Sequence, residues 1–217
     1  KGGYVYTNKQ IVKTNVIVND GKIIEISDNV LGNVIDVTGL YVAPSFIDPH
    51  VHMREPGFCE SETIKTGSLA AARGGYTKVF LMPNTNPVVS SVDMALQIDK
   101  EASAFGLARV IQTVSITKDF EGTDISHLDE LDGHFIPVIT EDGHDVASAA
   151  VMLDGMTVAS KKGIVVSCHC EDNELAKKAK PFRVKALDLM EKYHLPAWGG
   201  SFDDMDEIPD EVFDKID

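Results

Sequence analysis

Residues 42–57, VAPSFIDPHVHMREPG, join an apolar, β-branched run to a polar segment that contains two histidines. The run at 42–47 has the continuous apolar character of a strand that is buried on both faces of a parallel sheet. Side chains two residues apart in a strand point to the same side. His50 and His52, which follow this run, can therefore present their imidazoles to one metal ion, at ligand distances of about 2.0–2.1 Å.

Four further apolar runs have the same character, and they occupy residues 77–82, 110–114, 135–139 and 164–166. Polar residues follow each run, and the markers of the five strand ends lie between 27 and 34 residues apart: His50, Asn84, Thr113, Thr140 and His169. One strand–helix–strand unit has about this length. The spacing predicts an α/β fold with parallel strands, either a doubly wound sheet or a (β/α)₈ barrel.

The segments between the runs carry helix signals. Ser90 and Asp93 have the spacing of a capping box, and the helix that they begin is predicted to end at Gly106. Its predicted buried face consists of Ala95, Ile98, Ala102 and Phe105. Asp145 is predicted to cap a second helix, at residues 146–162, which ends at Gly163. Small residues that allow close packing on a sheet share one face of a third helix: Gly67, Ala70, Ala71 and Gly74.

The N-terminal residues have a different pattern, in which short strands alternate with polar turns. Residues 15–26, NVIVNDGKIIEI, predict a β-hairpin that turns at 19–21. Residues 1–42 are too few for a complete sandwich, so we expect a partial β domain, a small β-sandwich element. A hydrolase barrel is expected to follow it at residues 43–198.

Polar residues at the predicted strand ends form a candidate site. His169 follows the fifth strand, and Asp142 follows the fourth, directly before a glycine that permits a sharp turn. Together with the two histidines of the first strand, they offer three imidazoles and one carboxylate, which suit one zinc ion or a bridged pair. Arg54 presents a planar fork for a substrate carboxylate, and Asn84 offers both a donor and an acceptor.

The composition is that of a globular protein without nucleic-acid or membrane partners. The 217 residues are 43% hydrophobic and 25% charged, and no apolar stretch approaches the length of a membrane span. The formal net charge of −14 disfavours binding to nucleic acid or to anionic membranes. Cys59, Cys168 and Cys170 cannot pair evenly, which favours a reducing cytoplasm. Cys168 and Cys170 alternate with His169 and are predicted to pack against a helix.

Five motifs resemble, in order and spacing, those of the dihydroorotases of the amidohydrolase superfamily: IDPHVHMREPG at 47–57, AARGGYT at 71–77, MPNTNPV at 82–88, EDG at 141–143 and HCED at 169–172. The His-x-His pair belongs to the whole superfamily, whereas the REPG and MPNTNP segments point to dihydroorotase. The resemblance implies a zinc-containing (β/α)₈ barrel with a small β domain assembled from both chain ends. It also implies a cyclic amidohydrolase that reversibly closes N-carbamoyl-L-aspartate to L-dihydroorotate in pyrimidine biosynthesis.

The resemblance also assigns roles to individual residues. The implied zinc ligands are His50, His52, Asp142 and His169. Arg54 and Asn84 are implied to hold the α-carboxylate of the substrate. The hydantoinases and allantoinases resemble a branch of the superfamily that has a lysine at this position. The absence of a lysine near residues 140–142 therefore weighs against assigning the chain to them. Glu141 replaces a frequent aspartate, a departure that the fold is expected to tolerate.

The larger departure from the family comes after residue 175. The family continues with a zinc-binding histidine on the sixth strand and a proton-transferring aspartate on the eighth, and the sequence contains neither motif. The catalytic residue is therefore unassigned, and only about five βα units are visible. We expect a chain that lacks much of the C-terminal half of the family. His194 lacks the context of a strand end and is predicted to be structural, and residues 199–217 are predicted to be an acidic tail or a separate segment.

Two other functions stay open at this point. One is a non-catalytic dihydroorotase-like subunit that supports aspartate carbamoyltransferase, although such a subunit would be expected to lose its metal ligands first. The other is a different cyclic amidohydrolase, because substrate choice depends on later loops. The expected partner is a small-molecule substrate, and either a homodimer or an assembly with aspartate carbamoyltransferase is compatible with the resemblance.

Overall fold

The structure is a computed structural model that describes residues 1–170 and 173–192. The strands are β1 Gly3–Thr7, β2 Gln10–Asn19, β3 Lys22–Ser27, β4 Tyr41–Val42, β5 Phe46–Val51, β6 Tyr76–Leu81, β7 Arg109–Gln112, β8 Val114–Ser115, β9 Val138–Thr140 and β10 Val165–Ser167. The helices are α1 Ile64–Arg73, α2 Val92–Ser103, α3 Ala149–Lys162 and α4 Asn173–Lys192. The chain divides into two compact units. The first unit consists of Lys1–Leu81 and Gln97–Ile111, and the second consists of Met82–Leu96 and the described residues from Gln112 onward.

The N-terminal strands form one four-stranded sheet in the order β3-β2-β1-β4. β2 and β3 are antiparallel, with Asn19 opposite Lys22, so the loop between them has two residues. Asp20 and Gly21 have φ angles of 49° and 72°, the positive values that a two-residue hairpin turn favours. The predicted hairpin is therefore confirmed. Within residues 1–42 the structure contains this one sheet, and the predicted sandwich element is not confirmed.

The remaining strands of the first unit, β5, β6 and β7, form a three-stranded sheet in that order, and β5 and β6 are parallel. The first strand was expected at residues 42–47, but β5 begins only at Phe46. Tyr41 and Val42 instead pair with Tyr4 and Val5 of β1, because the edge of the N-terminal sheet offers them backbone partners.

Helix α1 packs closely in the first unit through its small residues. Its N-terminus has a capping box, in which Thr63 accepts from the N–H of Thr66. A Cβ atom added at Gly67 would lie only 2.7 Å from Cγ of Met53, a residue that follows β5. The predicted close packing is thus confirmed at Gly67 alone, whereas Ala70 and Gly74 of the predicted face are exposed.

The second unit contains a parallel three-stranded sheet in the order β10-β9-β8. Ser115, Thr140 and Ser167 are in register at the ends of these strands. The apolar core of the unit includes Val89, Val114, Ile116, Leu128, Ile136, Ile139 and Ala159, each no more than 1% exposed. All five predicted runs of parallel strand therefore contain strands, although the third is divided at Thr113 into β7 and β8.

Both predicted helix caps are wrong, since the caps are Ser91 rather than Ser90 and Ser148 rather than Asp145. In α2 the N–H of Met94 donates to Oγ of Ser91 at 3.3 Å, while Ser90 is hydrogen-bonded to Asp119. In α3 the cap is Ser148, which accepts from the N–H of Val151, and the helix ends as predicted at Gly163. Several polar residues precede each helix, and the residue that caps is the one at the point where the backbone turns helical.

The buried face of α2 is confirmed in part. Ala95, Ile98 and Ala102 are at most 5% exposed, as predicted. Phe105 is 41% exposed, because α2 ends at Ser103 and leaves Phe105 beyond its last turn.

Helix α4 is 20 residues long and has Pro181 in its interior. Of the helices that the structure describes, none combines the length and the apolar character that crossing a membrane requires. The predictions for His194 and for the acidic segment at 199–217 lie outside the described residues.

Candidate functional site

The first unit positions two histidines with strand β5. The imidazole centroids of His50 and His52 lie 5.2 Å apart, with an angle of 68° between the ring planes. His50 is exposed and His52 is half-buried. The two rings lie side by side, as expected for residues two apart near the end of a strand.

Arg54 lies in the loop that leaves β5, and backbone contacts hold this loop. The carbonyl oxygen of Arg54 accepts the N–H of Phe58 at 2.8 Å. Oε2 of Glu55 accepts the N–H of Ile64, the first residue of α1, also at 2.8 Å. The loop is therefore tied to the start of the following helix, and the half-buried Arg54 is carried on a defined backbone.

In the second unit, Asn84 and Asp142 contact each other directly. Nδ2 of Asn84 donates to Oδ2 of Asp142 at 2.8 Å, and the aspartate is only 4% exposed. Asn84 was predicted to contact the carboxylate of a substrate. In the structure the Asn84 amide donates a hydrogen bond to a carboxylate of the protein itself, and this bond orients Asp142.

The residue before this aspartate, Glu141, is buried as well, and it has three hydrogen-bond donors. Oε2 accepts the N–H groups of Ile116 and Thr117, each at 2.9 Å, and Oε1 accepts the hydroxyl of Thr117. Burial raises the pKa of the Glu141 carboxyl above its usual range, and the hydrogen bonds from Thr117 and Ile116 offset only part of this rise. Sequence reasoning missed this role, since nothing local to Glu141 indicates a partner 24 residues away.

His169 follows β10 at the same edge of the sheet. Thr140 and Ser167 are paired, and Asp142 and His169 each lie two residues beyond them. His169 is exposed, and so are Cys168 and Cys170. The prediction that these two cysteines pack against a helix is therefore wrong, because only three residues, Val165–Ser167, are in β10 and both cysteines lie beyond them.

Comparison with known proteins agrees with the motifs. Residues 39–195 match the family model described as dihydro-orotase-like. The chain belongs to this dihydroorotase family. It is 38% identical over 178 residues to the dihydroorotase of Macrococcus caseolyticus, a match that covers 81% of this chain and 42% of that protein. With the dihydroorotase of Fusobacterium nucleatum the identity is 40% over 177 residues, and the match covers 79% of this chain and 41% of that protein.

The fold of this dihydroorotase family member is also found among solved structures. L-hydantoinase from Arthrobacter aurescens superposes with a TM-score of 0.65 at 18% identity, over 85% of this chain and 43% of that chain. At this identity the likeness shows a shared α/β fold. The chain spans about two fifths of the length of the curated relatives that it matches.

Proposed function

We propose that the protein is a zinc-dependent dihydroorotase, which reversibly closes N-carbamoyl-L-aspartate to L-dihydroorotate. The observation that carries the proposal is the family match over residues 39–195, to relatives named dihydroorotase. The match includes each residue that the motifs assign to metal or substrate. The completed (β/α)₈ barrel belongs to the same proposal.

The chemistry of the donor set supports a metal ion. We propose that His50, His52 and Asp142 bind it, because imidazole nitrogens and a carboxylate oxygen are ligands that zinc prefers. We assign His169 as a further ligand, because it follows the strand next to the one that precedes Asp142. A zinc ion bound there would polarise an amide carbonyl and would lower the pKa of a water molecule towards about 7.

Arg54 and Asn84 are proposed to hold the α-carboxylate of the substrate. A guanidinium can donate two parallel hydrogen bonds to a carboxylate, which orients the substrate as well as binding it. Orientation removes part of the entropic barrier to ring closure, because the reacting amide and carboxyl groups are then held together. The acid and base that transfer protons are not among the residues that we assign.

The test uses the full translated product of the gene that encodes this chain. We expect bound zinc and turnover of N-carbamoyl-L-aspartate and dihydroorotate near neutral pH, both lost on treatment with a chelator and restored by zinc. Substitution His52→Ala should lose metal and turnover together. Absence of zinc together with absence of turnover would contradict the proposal. Turnover of hydantoin alone would indicate another cyclic amidohydrolase, and zinc without turnover would indicate the supporting subunit.

Cellular location and assembly are part of the proposal. Three exposed, unpaired thiols suit a reducing compartment, and we therefore propose the cytoplasm. A homodimer and a complex with aspartate carbamoyltransferase both stay predictions, and the mass of the purified assembly distinguishes them.

A further inference from the structure

Glu141 is a buried carboxylate that the proposed reaction does not use. It is 3% exposed, and its acceptors are occupied by donors of the chain itself. Oε2 accepts two backbone N–H groups, from Ile116 and Thr117, and Oε1 accepts the Thr117 hydroxyl. That hydroxyl in turn accepts the N–H of Gly122 at 2.9 Å.

These bonds continue the pairing of β8 and β9 beyond the ends of the strands. Ser115 is in register with Thr140, and the N–H of Ile116 donates to the carbonyl oxygen of Thr140 at 3.2 Å. One residue further on, the Glu141 side chain accepts the N–H of Thr117. The side chain therefore accepts two consecutive N–H groups at the end of β8 and holds the backbone at 141 against the neighbouring strand end.

Asp142 is consequently held from two directions. On the backbone side, Glu141 is anchored to β8, and its carbonyl oxygen accepts the N–H of His144 at 2.8 Å, which closes the turn. Gly143 permits this turn with a φ of 73°. On the side-chain side, Asn84 donates to the aspartate oxygen. A carboxylate ligand held in this way loses little freedom when it binds a metal.

We propose that Glu141 is a positioning residue, which sets the Asp142 carboxylate for metal binding through its bonds to Ile116 and Thr117. The proposal rests on the proposed function, since Asp142 is a ligand only if the site binds metal. Loss of partners that orient metal ligands typically weakens metal affinity about 10–100-fold. Glu141→Ala should therefore weaken zinc binding by about that factor.

Glu141→Gln is the conservative variant. Its amide oxygen can still accept the two backbone N–H groups, and its amide nitrogen can donate to the Thr117 hydroxyl. Zinc affinity should remain within about threefold of the unmodified protein. Thr117→Val removes the hydrogen bond from the hydroxyl to Glu141 and the one from the Gly122 N–H, and it should weaken zinc binding about fivefold.

The experiment measures zinc affinity in the full translated protein, by competition with a chromophoric chelator well below the melting temperature. Hydrogen exchange of the Thr117 amide is followed in parallel, since Glu141→Ala should accelerate it and Glu141→Gln should not. Ser148→Ala is the control: it removes the α3 cap and lowers the melting temperature, but it should leave zinc affinity unchanged.

Two results would overturn the proposal in different ways. Equal zinc affinity in Glu141→Ala and the unmodified protein would show that Glu141 has a structural role only. A loss of affinity in Ser148→Ala as large as in Glu141→Ala would show that general destabilisation causes the effect. If the unmodified protein binds no zinc, the proposed function fails, and this inference fails with it.

Discussion

At the scale of single residues, the adjacent carboxylates of Glu141 and Asp142 have the same chemistry but different hydrogen-bond partners. Both carboxylates are buried, at 3% and 4% exposure. Glu141 accepts three donors from the end of β8, whereas Asp142 accepts the amide of Asn84. The first is therefore held in the scaffold, and the second is the one that we propose as a metal ligand.

Substitution Asn84→Asp should destabilise the second unit. The change replaces a donor by a second carboxylate at the 2.8 Å contact with Asp142. We expect a loss of about 1–3 kcal/mol in the free energy of unfolding of the metal-free protein at neutral pH, measured by urea denaturation. Asn86→Asp makes the same charge change at an exposed position of the same loop and should cost little.

The loss should depend on pH in a defined direction. The nearby negative charge raises the pKa of the introduced carboxyl in the folded protein, so the folded state binds the extra proton more tightly than the unfolded state. The destabilisation should therefore be smallest near pH 4 and should grow as the pH rises. A loss that does not change with pH would mean that charge repulsion is not its cause.

Substitution Arg54→Lys tests the assignment of the substrate carboxylate. Lysine keeps the charge but cannot donate two parallel hydrogen bonds, so binding and orientation should both weaken. We expect kcat/KM for N-carbamoyl-L-aspartate to fall roughly 30- to 1000-fold, with zinc content unchanged. This factor corresponds to a loss of about 2–4 kcal/mol in transition-state stabilisation. An unchanged kcat/KM would make Arg54 an ordinary loop residue.

At the scale of elements, close packing of α1 depends on Gly67. Alanine is favoured over glycine in a helix by about 1 kcal/mol, yet a Cβ here would lie 2.7 Å from Met53 Cγ. The packing of this helix against Met53, the residue directly after His52, is therefore decided by the absence of one methyl group.

Gly67→Ala should consequently lower the free energy of unfolding by about 1–3 kcal/mol, because Met53 must move from its place. In a Met53→Ala background the same substitution should instead stabilise, by about 1 kcal/mol, since the obstacle is gone and the helix preference remains. Thermal or urea unfolding of the four proteins in this cycle measures the sign. The same sign in both backgrounds would exclude the contact as the cause.

At the scale of the whole molecule, the N-terminal sheet and the segment between β3 and β4 expose many apolar side chains. Ile23, Leu31, Ile35 and Tyr41 are each more than 60% exposed. Exposed apolar surface favours association. The 217-residue chain spans only about two fifths of its curated relatives.

The 217-residue chain by itself should therefore self-associate and bind an apolar dye. Ile35→Lys removes the side chain with 80% exposure and should weaken self-association about tenfold or more, measured by sedimentation. Asn33→Lys, an equal charge change at a neighbouring exposed polar residue, is the control. Equal weakening by both variants would attribute the effect to charge rather than to apolar surface.

Local pattern in the sequence was sufficient for the type and order of the elements. The hairpin at 15–26, the presence of a strand in each of the five apolar runs and the end of α3 at Gly163 were predicted correctly. So was the side-by-side placement of His50 and His52. Each depends on periodicity or on turn residues within a few positions of the chain, where side-chain direction follows directly from backbone geometry. The motifs of these same segments indicated the family.

Tertiary structure alone decided which residues meet across the fold. The contact of Asn84 with Asp142 joins residues 58 apart, and that of Glu141 with Thr117 joins residues 24 apart. The helix cap at Ser148 rather than Asp145, and the exposure of Cys168 and Cys170, likewise depended on where strands and helices end in space. Such contacts follow from strand register and from the competition of neighbouring polar groups for one donor, and no local pattern encodes either of these.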